Sequence, residues 1–212
     1  MSTRHILDDA ALQRAARTLA RRDPALRRVL RTYGPPPLWA RAPGFATLVH
    51  LILEQQVSLA SALAAFNNLK RACRGEVTPR KLLRFDDVEM KTIGFSRQKA
   101  GYARELAHAV LERRFDPHAL EGLDDDGVRG QLIALKGIGP WTADVYLLMV
   151  LLRPDAWPHG DVALAVAAQE VYGLAARPTF GELTELADSW RPHRATAARL
   201  LWHHYLSSRG RS

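Results

Sequence analysis

Helix-start signals recur along this chain, and apolar faces of helical period run between them. Asp23-Pro24 pairs a capping side chain with a proline at the first helical position. Ser58, Thr78-Pro79, Asp86, Ser96 and either Asp124 or Asp125 read as starts of the same kind, Asp116-Pro117 as a short turn, and Thr179-x-x-Glu182 as a capping box. Behind these signals, apolar residues return every three or four positions. Ala11, Leu12, Ala15, Ala16 and Leu19 form one face, continued after the break by Leu26, Val29 and Leu30. Leu59, Ala62, Leu63, Phe66 and Leu69 form another, and Tyr102, Leu106, Ala109 and Val110 a third. Pro43-Gly44 opens a strongly apolar helix, Phe45 to Leu53. No alternating pattern competes, so the fold class is all-α. Gly34-Pro35-Pro36-Pro37 stops the second helix and sets off an N-terminal arm. Residues 207–212 are polar and basic and are expected to fray.

One stretch carries a different signal: Leu135-Lys136-Gly137-Ile138-Gly139-Pro140-Trp141-Thr142-Ala143. A helical run ending at Ala134 enters it, and a second helix, Trp141 to about Leu152, leaves it. Glycine at 137 and 139 allows backbone conformations closed to other residues and a close approach by another backbone. Pro140 suits the first helical position. Such a turn aims free N–H groups outward at a helix N-terminus, which suits a phosphate oxygen. A glycine pair before a helix is by itself usually a plain turn. It is not a dinucleotide fingerprint here, because no strand precedes it and no third glycine follows at the required offset. Downstream, Trp157-Pro158-His159-Gly160-Asp161-Val162-Ala163-Leu164 sets a carboxylate at the mouth of another helix.

A length of 212 residues suits one domain or two closely packed lobes, and 47% apolar content is enough for a core. The net charge of +8 favours a polyanionic partner. The single cysteine, Cys73, excludes an internal disulfide and a four-cysteine iron–sulfur cluster. No apolar run is long enough for a membrane span, and the N-terminus, with Asp8 and Asp9 among arginines, has no apolar signal core. The expectation is a soluble, intracellular (cytoplasmic) monomer. His203 and His204 point about 100° apart on a helix, a poor chelating pair. His159 has only Asp161 at ligand spacing, so no zinc site is expected.

Leu135 to Ala143 followed by Asp161 resembles the helix-hairpin-helix DNA glycosylase superfamily, and within it the alkylbase group, 3-methyladenine DNA glycosylase II. Three other stretches agree, in the same order, over about residues 43–206. Ile52-Leu53-Glu54-Gln55-Gln56-Val57-Ser58 is similar to that group's early helix. Gly94-Phe95-Ser96-Arg97-Gln98-Lys99-Ala100 is similar to its middle helix, and Trp190-Arg191-Pro192-His193-Arg194 to the start of its last. The resemblance implies two helical lobes flanking a cleft that holds Asp161. The central lobe would span about residues 50–155, with the hairpin at 130–152; residues 1–49 and 156–212 would form the second.

The resemblance also implies a function: a base excision repair enzyme that flips and hydrolytically removes alkylated purines, such as 3-methyladenine and 7-methylguanine, from damaged double-stranded DNA. Asp161 would stabilise the sugar cation and activate water; it also reads as the cap of the helix that follows. Trp141 and Trp190 match aromatic positions of the family, and Tyr146 and Trp157 lie near its motifs, so these four are the expected walls of the base pocket. Gln56, with Gln55 beside it, stands at the position that plugs the gap in the duplex. The hairpin, Lys136, Gly137, Ile138, Gly139 and Thr142, would grip the backbone. A structural Na+ or K+ would sit among the carbonyls of Ile133, Leu135 and Gly137; no other cofactor is implied. Relatives that also cut the strand use a hairpin lysine, where this chain has Trp141, and Lys136 does not match; a monofunctional enzyme without lyase activity is expected. Val145 and His193 depart from the best-studied branch, which has an aromatic and a tryptophan there. A glycosylase for mispaired or deaminated bases, and a non-catalytic hairpin module that only holds DNA, remain as alternatives.

Overall fold

The computed structural model describes residues 6–210, and among these every regular element is helical. In chain order the helices are α1 Asp9–Arg22, α2 Pro24–Tyr33, α3 Phe45–Glu54, α4 Leu59–Ala72, α5 Pro79–Leu82, α6 Asp87–Ile93, α7 Arg97–Leu111, α8 Asp125–Ile133, α9 Pro140–Met149, α10 Val162–Tyr172, α11 Phe180–Asp188 and α12 Arg194–Ser207, with a 3-10 turn at Ala119–Gly122. The capping residues explain most of these starts. The side chains of Asp23, Ser58, Thr78, Ser96 and Asp124 each accept a backbone N–H from the first turn of the helix they precede. Asp86 with Glu89, and Thr179 with Glu182, form complete capping boxes. Asp8, not singled out from the sequence, caps α1. α9 ends at Met149 rather than near Leu152. Leu152 takes a left-handed backbone (φ 52°) as Arg153 N–H folds back onto Leu147 O. Pro154 follows directly.

The chain divides into two compact units, Met1–Ala40 with Asp144–Ser212, and Arg41–Ala143. The sequence reading placed these cuts at 49/50 and 155/156. The first falls within α3, whose Leu48, Val49, Leu51 and Ile52 are all fully buried, and by contact it lies ahead of that helix at 40/41. The second moves back into α9.

In the first unit α1, α2, α10 and α12 pack on one another. Leu12, Leu19, Leu26, Leu164, Leu200 and Leu201 are at most 1% exposed. Two polar anchors organise this apolar mass. Asp23 caps α2 through Oδ1, while its Oδ2 accepts the Tyr172 hydroxyl and the indole N–H of Trp190 at 3.1 Å. Burial, reinforced by the Asp23 carboxylate, pushes the Tyr172 phenol well above its ordinary pKa. Arg199 is fully buried and donates to the carbonyls of Leu38 (2.9 Å), Leu148 (2.8 Å) and Ala195 (3.1 Å). Desolvation lowers its pKa to about 10. The tail expected to fray is tied down as far as Gly210, because Arg209 bonds both oxygens of Glu170. Residues 211–212 lie outside the described residues.

In the second unit α3 packs on α4 and α7. Its one acidic residue, Glu54, is buried and forms a two-pronged pair with Arg41, both contacts 2.8 Å. The Lys99 ammonium donates to Leu53 O near the end of α3 at 2.7 Å, and burial lowers its pKa. α4 buries only part of the face that periodicity picks out. Leu59 and Leu63 are 55% and 49% exposed, whereas Ala62 and Leu69 are buried and the inward stripe runs through Ala65. A close approach selects it: a Cβ on Gly94 (φ 118°) would lie 2.9 Å from the Ala65 Cβ. On α7 the buried stripe is likewise rich in alanine, with Ala100, Ala103, Leu106, Ala107 and Ala109 inside and Tyr102 half-buried.

Candidate functional site

The hairpin's first helix and its turn lie in the second unit, and the cut falls within its second helix. α8 ends at Ile133, the chain turns through Leu135 to Gly139, and Pro140 starts α9. Only one of the two glycines needs its special freedom. Gly137 has φ 88°, and a Cβ there would lie 2.1 Å from Tyr102 Cγ, so the turn rests directly on that ring. Gly139 avoids the left-handed region and faces open space, which leaves its backbone approachable from outside. Ile138 is 4% exposed and anchors the turn from within, while Lys136 is exposed. The N–H groups of Gly137 and Gly139 donate to no protein acceptor among the described residues. Two free N–H groups beside a helix N-terminus are donors of the kind an oxygen anion accepts.

Two residues read as DNA contacts turn out to brace this turn. The Gln55 side-chain amide donates to Gly137 O at 2.8 Å and to Thr142 Oγ1 at 3.1 Å, so both its N–H bonds are spent inside the protein. Thr142 is 2% exposed, and its side chain cannot reach a ligand. Gln56, by contrast, is exposed and held in a left-handed conformation (φ 55°) just past the end of α3. Leu135 O already accepts Ile138 N–H, and Gly137 O accepts Gln55. A carbonyl has two lone pairs. Each of these oxygens therefore keeps one for a monovalent cation, as does Ile133 O, which makes the three neutral donors compatible with such an ion.

Asp161 lies in the first unit and is 7% exposed. Its Oδ1 accepts Leu164 N–H at 2.8 Å, capping α10, and the Trp202 indole N–H at 3.4 Å. The capping and catalytic readings therefore fall on one fixed carboxylate with a small opening to solvent. Seventeen residues upstream, Asp144 is 1% exposed, and its Oδ2 faces both the His159 main-chain N–H (3.3 Å) and ring Nδ1 (2.8 Å). This pair was missed from sequence. The available signal was an acidic residue inside an otherwise apolar helix, Trp141 to Met149, which demands a partner.

The expected aromatic walls separate into two groups. Trp157 and Trp190 are each 1% exposed and pack on one another with centroids 5.5 Å apart; Tyr172 lies 6.4 Å from Trp190. Tyr146 has no exposed surface. These three are core residues and offer no free ring face to a base. Trp141 alone of the four is partly exposed, at the start of α9. Val145 is buried, and His193 precedes α12, where burial lowers its pKa. His204 pairs with Glu170 at 2.9 Å and His203 packs against Tyr33 and Trp39. No group of three or more His, Cys, Asp or Glu could hold a metal among the described residues, and no helix there is long and apolar enough to cross a membrane.

Residues 49–192 match the family model described as HhH-GPD superfamily base excision DNA repair protein. The alkylbase DNA glycosidase-like protein mag2 of Schizosaccharomyces pombe is 26% identical over 73% of this chain and 75% of its own length. The putative DNA-3-methyladenine glycosylase YfjP of Bacillus subtilis is 25% identical over 73% of this chain, which spans only 56% of that protein. Among solved structures, the Schizosaccharomyces pombe 3-methyladenine DNA glycosylase Mag1 in complex with abasic DNA superposes with a TM-score of 0.82 at 24% identity, covering 92% of this chain and 97% of its own.

Proposed function

Since the chain belongs to the HhH-GPD superfamily of base excision DNA repair proteins, we propose that it is a monofunctional DNA glycosylase that hydrolyses alkylated purines out of double-stranded DNA. The substrate class is supported by relatives named for alkylbase and 3-methyladenine excision. One observation in the chain carries the mechanism. Asp161 is a nearly buried carboxylate, fixed by a backbone N–H and an indole N–H.

Cleavage of the glycosidic bond leaves positive charge on the deoxyribose. A carboxylate about 3.5 Å away, at an effective dielectric near 20, stabilises that charge by on the order of 5 kcal/mol. This amounts to roughly three to four decades of rate. An N-alkylated purine is already cationic and leaves as a neutral base, so no strong acid is needed. Only an extruded base can be reached. Trp141, the one candidate ring with exposed surface, is suited to attract it through the cation–π interaction. The free N–H groups of Gly137 and Gly139 and the Lys136 ammonium serve the phosphate backbone, and the exposed Gln56 serves as the plug. A monovalent cation held by Ile133 O, Leu135 O and Gly137 O would add positive potential at the hairpin.

The test is release of free bases from methylated duplex DNA. Asp161→Asn should abolish release while affinity for the duplex survives, since asparagine also caps a helix. If DNA binds but wild-type protein releases nothing, the chain is a holding module. Borohydride should trap no covalent enzyme–DNA adduct, because Trp141 stands where lyases carry their lysine; a trapped adduct would overturn the monofunctional reading.

A further inference from the structure

Hydrolysis also needs a group to take the proton of the attacking water, and beside Asp161, whose Oδ1 accepts two N–H donors, the chain offers a second candidate. Two residues earlier, His159 offers what a base requires. Its Nδ1 lies 2.8 Å from Asp144 Oδ2, and the same oxygen receives the His159 main-chain N–H. In the tautomer that matches a carboxylate acceptor, Nδ1 carries the hydrogen of that bond and the lone pair resides on Nε2. Nε2 has no protein partner among the described residues, on a side chain that is 48% exposed. Asp144 is 1% exposed, so the ring is braced from inside and open outward. A carboxylate that orients an imidazole whose far nitrogen is free is the arrangement of an activated base in hydrolases. Gly160, with φ 77°, turns the chain between His159 and Asp161. Two residues span at most about 7 Å of chain, so the backbones that carry the two side chains are no farther apart than that.

We propose that His159 is the general base for the attacking water and Asp144 its positioning residue. This rests on the glycosylase reading and divides its labour: Asp161 provides the charge and His159 takes the proton. The water oxygen bonds to C1′ and its proton passes to Nε2. The C1′–N bond breaks with its electron pair going to the alkylated purine, which departs neutral.

The experiment is single-turnover base release from methylated duplex, with affinity measured separately on duplex containing an abasic analogue. His159→Ala should slow release about 10²-fold, the usual scale for a general base, with affinity unchanged. Added imidazole should restore at least about tenfold of that loss, and should do nothing for wild type or Asp161→Asn. Asp144→Asn, which keeps the shape but loses the orienting charge, should slow release without altering affinity. A purely structural role predicts no imidazole rescue, and that result overturns the proposal. So does an unchanged rate in His159→Ala, or a loss appearing as weaker binding alone, which would make His159 a DNA contact. Wild-type protein that binds the abasic duplex but releases no base refutes the glycosylase reading itself, a failure distinct from these.

Discussion

Gly137→Ala isolates the physical basis of the hairpin. The new methyl group meets two penalties. At φ 88° an alanine sits in a region disfavoured by roughly 1–2 kcal/mol. Its Cβ would also lie 2.1, 2.3 and 2.6 Å from Tyr102 Cγ, Cδ2 and Cδ1, far inside van der Waals contact. Cγ is the root of the ring, so no swing of a flexible end relieves the overlap. The whole side chain must leave its rotamer and its hydrogen bond with Gln98, or the turn must lift. Overpacking of this kind costs about 1–3 kcal/mol. The sum, about 2–5 kcal/mol, is a large fraction of the stability of an ordinary domain. Urea unfolding should show it as a lower midpoint at constant slope. A Tyr102→Ala background separates the two penalties. There the same substitution should cost only the backbone part, about 1–2 kcal/mol. An equal cost in both backgrounds, or a cost below about 0.5 kcal/mol in the wild-type background, would refute the claim that the turn rests on that ring.

Two further outcomes follow from buried polar groups. Asp23→Ala removes a helix cap and strands the Tyr172 hydroxyl and Trp190 N–H, for a loss of about 3–5 kcal/mol by urea unfolding; a loss under about 1 kcal/mol would mean these contacts are incidental. His50, His193 and His203 are all held below the ordinary imidazole value, chiefly by burial. Their contribution to stability is complete above about pH 6.5 and is lost as pH falls through their folded values, because the unfolded chain takes up protons first. Unfolding midpoints should therefore drop between pH 7.5 and 5, less so in His203→Asn, and a rise on acidification would contradict this.

What could be read from the sequence was what is decided within a few residues. Asp23, Ser58, Ser96 and Asp124 announce their helices because a cap bonds to its own first turn. The hairpin was visible for the same reason. The inward stripe of α4 was legible only in part: Ala62 and Leu69 were named, but area favours Leu59 and Leu63, which face outward, over the buried Ala65. The choice is made by Gly94 coming against Ala65, a tertiary event. Gln55 looked like a partner for DNA because its acceptor, Gly137 O, is 82 positions away. Trp190 looked like a pocket wall because Asp23, which holds its N–H, is 167 positions away. Proximity to a motif says nothing about which way a ring points.

The double duty proposed for Asp161, cap and catalyst, has a consequence for comparing chains built on this scaffold. Asp, Asn, Ser and Thr are nearly interchangeable as caps, so helix formation exerts little preference among them at this position. The letter found there is accordingly a reporter of chemistry, decoupled from architecture. On the function proposed above, a sister chain carrying Asn or Ser at that point would keep every helix and its hold on the duplex while forfeiting turnover, so a single mutational step would separate a repair catalyst from a passive clamp.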